Sequence, residues 1–183
     1  MNEYSDSELL EIFRNENTSN YAFNLLVRKY QQKIYWQVRR MVIDHDDAND
    51  VTQNTFVKVW KGLNSFREDS RLSTWIYRIA ANEALSFLQQ KRKRFFLPLH
   101  DVEHELSDKL ADDSFFSGEE IQKKLQKAIL ALPEKQRIVF NLRYYDEMPY
   151  DEMSEVLKTS AGALKASFHH AVKKIEDYFN NNR

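Results

Sequence analysis

The sequence predicts an all-α protein: two small helical domains joined by a flexible linker, the C-terminal one a helix-turn-helix. Three observations predict it. Only 3 Gly and 3 Pro interrupt 183 residues, so residues that break helices are scarce. Apolar residues recur three and four positions apart through most of the chain, the spacing of one helix face. That period is lost between Phe95 and Gly118, where Asp101, Glu103, Glu105, Asp108, Asp112 and Asp113 are opposed by Lys109 alone. Low hydrophobicity with like charges disfavours packing, so 95–118 reads as an acidic linker between domains 1–94 and 119–183.

Each helix has its own signals. Ser5 or Ser7 caps a short helix to Phe13, with Leu9, Leu10, Ile12 and Phe13 apolar. Tyr21 to Val42 is a long helix with Ala22, Leu25, Leu26, Tyr30, Ile34, Val38 and Met41 inward, and with Arg28, Lys29, Lys33, Arg39 and Arg40 off that stripe. Asp44 to Asp47 supplies caps for a helix to Leu63, whose acids suit the positive end of its dipole. Phe56, Val59, Trp60 and Leu63 face a core there, and Asp47, Asp50, Gln53, Asn54 and Lys61 lie opposite. A polar loop, Phe66 to Ser73, leads into a helix capped by Ser73 or Thr74. Its apolar stripe is Trp75, Ile76, Ile79, Ala80, Ala84, Phe87 and Leu88; Arg78, Asn82 and Gln89 take another side, and Lys91-Arg92-Lys93-Arg94 ends it.

Beyond the linker, Glu119 to Leu132 is helical, and Pro133 opens the next helix. A turn at Tyr145 to Met148 precedes a short helix, Pro149 to Leu157. Lys158-Thr159-Ser160 then connects to a last helix, Ala161 to Phe179, capped by Ser160. Two helices joined by so short a turn describe a helix-turn-helix. Lys158 stands where glycine is usual and must enter the left-handed region at modest cost. The open face of the last helix carries Lys165, Ala166, His169, His170 and Lys173, which suit base edges and phosphates in a major groove.

Composition narrows the function classes. The chain has no cysteine, which removes disulfides and thiolate metal sites. No apolar run spans a bilayer and MNEYSDSELL is not a signal peptide, so a cytoplasmic protein without direct membrane insertion is expected. Net charge is −1, yet the cations gather at 91–94 and the acids just after, so DNA attraction would be local. No glycine-rich phosphate loop and no nucleophile-with-base arrangement is present, so neither an enzyme nor a cofactor is expected. His100 and His104, four apart in the acidic stretch, are an incidental pair rather than a metal site. A stand-alone helix-turn-helix regulator would account for 132–179 but leaves 46–94 without a task. A helical adaptor with no nucleic-acid role is the other alternative.

Read together, Asp46 to Leu85 (DDANDVTQNTFVKVWKGLNSFREDSRLSTWIYRIAANEAL) and Leu132 to Glu176 resemble bacterial sigma factors of the extracytoplasmic-function group. The order D-x-x-Q-x-x-F-x-x-x-W, then F-x(8)-W-x-x-R-I-A-x-N, then an LPE-led helix-turn-helix carries the resemblance. It implies a transcription initiation factor. Asp47, Asp50, Gln53 and Asn54 would dock on the clamp helices of the RNA polymerase β′ subunit, and the second domain would meet the β flap. Phe66, Arg67, Ser70, Trp75, Arg78, Ile79, Asn82 and Lys91, Arg92, Lys93 and Arg94 would bind the minus-ten element and help to melt it. Ser160, Lys165, Ala166, Ser167, His169, His170 and Lys173 would read the minus-thirty-five element. An anti-sigma factor is implied as a further partner. Asn54 replaces the usual acid, Ala163, Ala166 and Ser167 replace more polar residues, and His169-His170 stand at positions often aromatic and Arg. Fewer guanidiniums mean fewer bidentate contacts to guanine.

Overall fold

The computed structural model describes residues 4–95 and 120–181, without the side chains of Arg94 and Phe95. The acidic linker, its His100 and His104, and the end of the basic run therefore lie outside the described residues. Eight helices and no strand are found among the described residues: α1 (Asp6–Arg14), α2 (Ser19–Val42), α3 (His45–Leu63), α4 (Leu72–Phe95), α5 (Glu120–Leu130), α6 (Glu134–Tyr144), α7 (Tyr150–Leu157) and α8 (Ala161–Asn181).

Local chemistry explains most boundaries. Ser5 forms a reciprocal cap: the Glu8 N–H donates to Ser5 Oγ (3.3 Å), and the Ser5 N–H donates to the Glu8 carboxylate (2.7 Å). The Asp44 carboxylate accepts from the N–H groups of Asp46 and Asp47, both at 3.0 Å, and starts α3. Between α2 and α3 the chain turns at Ile43, with φ 65°. A β-branched residue there costs roughly 1–2 kcal/mol, and its nearly complete burial offsets that cost. α4 departs from expectation. It starts at Leu72, and its first bond runs from the Trp75 N–H to the Arg71 carbonyl, so neither Ser73 nor Thr74 caps it. Thr74 is buried inside the first turn instead.

α1 to α4 pack as a four-helix unit, α2 touching the other three. Trp60 anchors it, edge-on to Phe13 (5.3 Å between centroids) and to Phe23 (4.9 Å). Arg39, expected off the apolar stripe, is buried, as is Gln37, whose amide donates to the Tyr77 carbonyl (3.3 Å). α8 packs on α5, α6 and α7. Phe140 on α6 stacks between Tyr144 and Phe168, at 5.1 and 5.7 Å.

The two helical units share a core. α4 packs on α7 and α2 on α6. Leu142, Met148, Met153 and Val156 join one apolar cluster with Met41, Ile76 and Ala80, while Phe140 on the other side of α6 joins a second cluster with Ile129, Ala171 and Ile175. α6 is therefore covered on two sides, which explains why its polar Arg137 and Asn141 are buried.

Candidate nucleic-acid interface

The loop between α3 and α4 is held from three sides. Phe66 lies against Trp75, with centroids 5.1 Å apart and planes tilted by 39°. Glu68, at φ 60°, pairs with Arg14 of α1. Arg71 Nη1 lies 2.7 Å from Glu152 Oε1 of α7. Together these anchors open a cleft of about 450 Å³ lined by Ser65, Phe66, Arg67, Asp69, Ser70, Trp75, Arg78, Glu155 and Lys158. Five residues expected to meet the minus-ten element, Phe66, Arg67, Ser70, Trp75 and Arg78, thus meet in one place. Its wall holds two aromatic rings beside two guanidiniums, the combination that stacks bases and holds phosphates.

The other expected residues of that set are dispersed. Asn82 is exposed and Ile79 half-buried farther along α4, and neither lines the cleft. Lys91 points back to α3, with its Nζ 3.1 Å from Asp47 Oδ2, and only 12% of its side chain is exposed. Arg92 Nε lies 3.6 Å from Glu134 Oε1. Lys93 is exposed. Asp69, Glu155 and Lys158 also line the cleft, beyond the residues expected there. Asp69 is signalled by the loop's charge, whereas Glu155 and Lys158 arrive from the other half of the chain and have no local signal.

On α3, Asp50, Gln53 and Asn54 are exposed on one face, and Asp47 is half-buried where it meets Lys91. In the helix-turn-helix, Lys158 takes the left-handed geometry (φ 53°, ψ 41°) and the Ala163 N–H donates to Ser160 Oγ at 3.3 Å. Lys165, Ala166, His169, His170 and Lys173 are exposed along α8, and Ser167 is half-buried. The Tyr150 ring lies between two cations, 5.1 Å from the Arg143 guanidinium and 5.7 Å from Lys165 Nζ.

Electrostatics concentrate where the halves meet. Arg40 Nη1 lies 3.1 Å from Asp146 Oδ1, with side chains 18% and 10% exposed. The Arg40 guanidinium also sits 4.4 Å from the Tyr145 ring. Burial raises the Asp146 carboxyl above its ordinary value, and Arg40 offsets only part of that. Beside them the Tyr77 phenol is pushed up to about 12, by burial first and by the Asp146 charge second. Among the described residues no group of three or more His, Asp or Glu side chains is placed to hold a metal ion, and no helix is long and apolar enough to cross a membrane.

Comparison with known proteins gives the arrangement its context. Residues 26–94 match the Sigma-70 region 2 family, and residues 122–175 match Sigma-70, region 4. The chain is 32% identical to the RNA polymerase sigma-H factor of Pseudomonas aeruginosa, covering 93% of this chain and 92% of that protein. It is 33% identical to the ECF RNA polymerase sigma-E factor of Escherichia coli K12, covering 85% of each. Among solved structures, CnrH in complex with the cytosolic domain of CnrY superposes with a TM-score of 0.69 at 20% identity, over 96% of each chain. The sigma factor RpoE in complex with the anti-sigma factor NepR from Bartonella quintana gives 0.64 at 20% identity, over 88% of this chain and 98% of that one. The solved structures establish the shared fold; the matched regions and the relatives establish that this chain belongs to the extracytoplasmic-function group of bacterial RNA polymerase sigma factors.

Proposed function

We propose that residues 1–94 hold this sigma factor on core RNA polymerase and capture the minus-ten element, while residues 119–183 read the minus-thirty-five element. The observation that carries this reading is the cleft, where Phe66, Trp75, Arg67 and Arg78 converge beside a serine hydroxyl. Such a wall offers stacking and hydrogen bonds to bases that are exposed only after the duplex opens. Unstacking costs a few kcal/mol per step, and capture of the exposed bases offsets it. Binding then shifts the open–closed equilibrium of the promoter without covalent chemistry by this chain.

The exposed face of Asp50, Gln53 and Asn54, with Asp47 at its edge, supports docking on the β′ clamp helices. The β flap is the proposed contact of the second half. The exposed α8 side chains support major-groove reading by Lys165, His169, His170 and Lys173, with Ser160, Ala166 and Ser167 alongside. With a net charge of −1, the free chain attracts DNA weakly, and specific affinity arises when polymerase holds both halves at promoter spacing. The action is placed in the cytoplasm with the polymerase, and an anti-sigma factor is proposed as a further partner, as for the RpoE–NepR pair.

The test is run-off transcription with purified bacterial core polymerase on a fragmented genomic library, with and without the chain. New discrete start sites that require the chain are the expected result. Absence of binding to core polymerase would overturn the reading and leave a stand-alone helix-turn-helix regulator in its place.

A further inference from the structure

A second cavity opens beside the turn that follows α3. Its volume is about 410 Å³, against about 450 Å³ for the cleft described above. Phe13 and Arg14 from the end of α1, Ser19 from the start of α2, and Trp60, Lys61 and Asn64 from the end of α3 line it. Its chemistry repeats that of the first cleft. Each has two aromatic rings and a serine hydroxyl, and in each the cations outnumber the acids by one, Glu16 being the acid of the second. Phe13 and Phe23 hold Trp60 edge-on at 5.3 and 4.9 Å, so the half-buried indole has a fixed orientation where it borders the cavity. Aromatic surface beside cations is the combination that holds single-stranded nucleic acid.

Both cations are available to a phosphate. Lys61 is exposed and holds no ion pair among the described residues. Arg14 pairs with Glu68, but the two side chains are 62% and 46% exposed, so water screens the pair and it is worth little. A phosphate meets a guanidinium along the same edge as a carboxylate does, so Arg14 passes readily from one to the other. The two cavities also adjoin. Asn64 lines the second and Ser65 the first, and consecutive Cα atoms stand about 3.8 Å apart. Gly62, two positions from Trp60, packs against Trp75, so the last turn of α3 separates the two indoles. Glu68 belongs to the loop that supplies Phe66 and Arg67 to the first cleft. Phe13, Arg14 and Ser19 precede residues 26–94, the stretch matched to Sigma-70 region 2.

We propose that the cavity between α1, α2 and the end of α3 binds a further unpaired nucleotide of the strand whose minus-ten bases enter the first cleft, with its base against Trp60 and Asn64 and its phosphate on Arg14 and Lys61. The proposal rests on the reading of the cleft given above. It lengthens the held strand beyond the bases that the first cleft takes. It also adds a base preference, because the Asn64 amide presents both a donor and an acceptor to a base edge.

The test uses the full chain bound to core polymerase, on a promoter fragment whose unpaired strand is kept open by mismatches. Abasic sites are placed in that strand one position at a time, and the affinity of the complex is measured. The parent is expected to lose roughly five- to tenfold at one position outside the bases held by Phe66. That loss should vanish in Trp60→Leu and in Asn64→Ala, whereas Phe66→Ala should cancel the losses at other positions. Lys61→Ala should lower the slope of log affinity against log salt by about 0.7, with binding to core polymerase in the absence of DNA kept at the parent level. Far-UV circular dichroism checks that each variant folds. Trp60 anchors its helical unit, so should Trp60→Leu fail to fold, the exposed Asn64→Ala carries the test. No abasic position coupled to Trp60 or Asn64 overturns the proposal. The cleft reading survives that result when positions coupled to Phe66 remain, and falls with it when they do not. A loss of core binding in Lys61→Ala as large as its loss of promoter binding also overturns the proposal, and assigns the cavity to a segment of polymerase instead.

Discussion

Lys91 Nζ, near the end of α4, lies 3.1 Å from Asp47 Oδ2, near the start of α3. The pair ties together two residues whose sequence context points to different partners, DNA for the lysine and polymerase for the aspartate. Its half-buried setting makes it a structural link between helices more than a charge offered to a ligand.

Lys91 and Lys93 therefore separate in a salt titration. Each phosphate neutralised in single-stranded DNA contributes about 0.7 to the slope of log affinity against log salt. Lys93→Ala is expected to reduce that slope by about 0.7 to 1 for promoter DNA bound by the polymerase complex. Lys91→Ala is expected to leave the slope near that of the parent and instead to lower folding stability by roughly 1 kcal/mol. Equal slope changes in the two variants would show that Lys91 leaves Asp47 to meet phosphate.

Gly62 is a second close approach. A Cβ built there would stand 3.0 Å from Trp75 Cζ2 and 3.2 Å from Cη2. Alanine normally gains about 1 kcal/mol over glycine inside a helix. Here the added methyl crowds the indole that lies against Phe66, at a cost of the same order. Gly62→Ala is thus expected to change thermal stability little while lowering promoter opening several-fold, because the displaced ring forms the cleft wall. Permanganate reactivity of unpaired thymines measures the opening. Unchanged opening together with lower stability would mean that Gly62 serves packing alone.

Helix identities were legible because their signals are local. Ser5, Asp44 and Ser160 cap as their side-chain chemistry dictates, and Lys158 turns left-handed because the connection is too short for another route. The start of α4 is not legible in the same way, because Ser73 and Thr74 are good caps in isolation while burial of Leu72 and Thr74 extends the helix past them. Periodicity puts Arg39 off the apolar stripe, yet it is buried, because a local pattern cannot see a second layer packed on α2. The Arg40–Asp146 contact spans 106 positions and leaves no trace in either local pattern. The cleft was half legible: its loop and α4 residues carry aromatic and cationic signals, but Glu155 and Lys158 are brought by tertiary packing.

Lys165 and His169 stand one turn apart on the open face of α8, with Lys165 steered by the Tyr150 ring. Replacing both by alanine is expected to weaken promoters that depend on the upstream element, through loss of contacts worth about 1–3 kcal/mol. Footprinting should show protection lost near minus thirty-five and kept at minus ten. Protection unchanged upstream would remove α8 from the role of reading helix.

Tyr77 offers a pH test of the joint between the halves. Burial and the neighbouring Asp146 carboxylate push its phenol from 10.0 up to about 12, with Arg40 acting the other way. The folded value lies above the unfolded one, so this group's contribution to stability is fully present below pH 10 and is lost as the pH rises through about 12. The groups that face it come from both halves: Arg40 from α2, and Asp146 from the turn after α6, while Gln37 holds the Tyr77 carbonyl. Ionisation would place a phenolate beside a carboxylate in a half-buried site, and separation of the halves relieves the repulsion. Energy transfer between a donor and an acceptor on cysteines introduced at Lys61 and Asp177, in a sequence that otherwise lacks cysteine, is therefore expected to fall over that alkaline interval, in step with the late part of the tyrosinate absorbance. Tyr77→Phe removes the titrating proton and should uncouple the two signals. Coincident transitions in that variant would assign the alkaline change to another group, with Tyr30 the next to test, since its hydroxyl donates to the Asp6 carboxylate and it too ionises late.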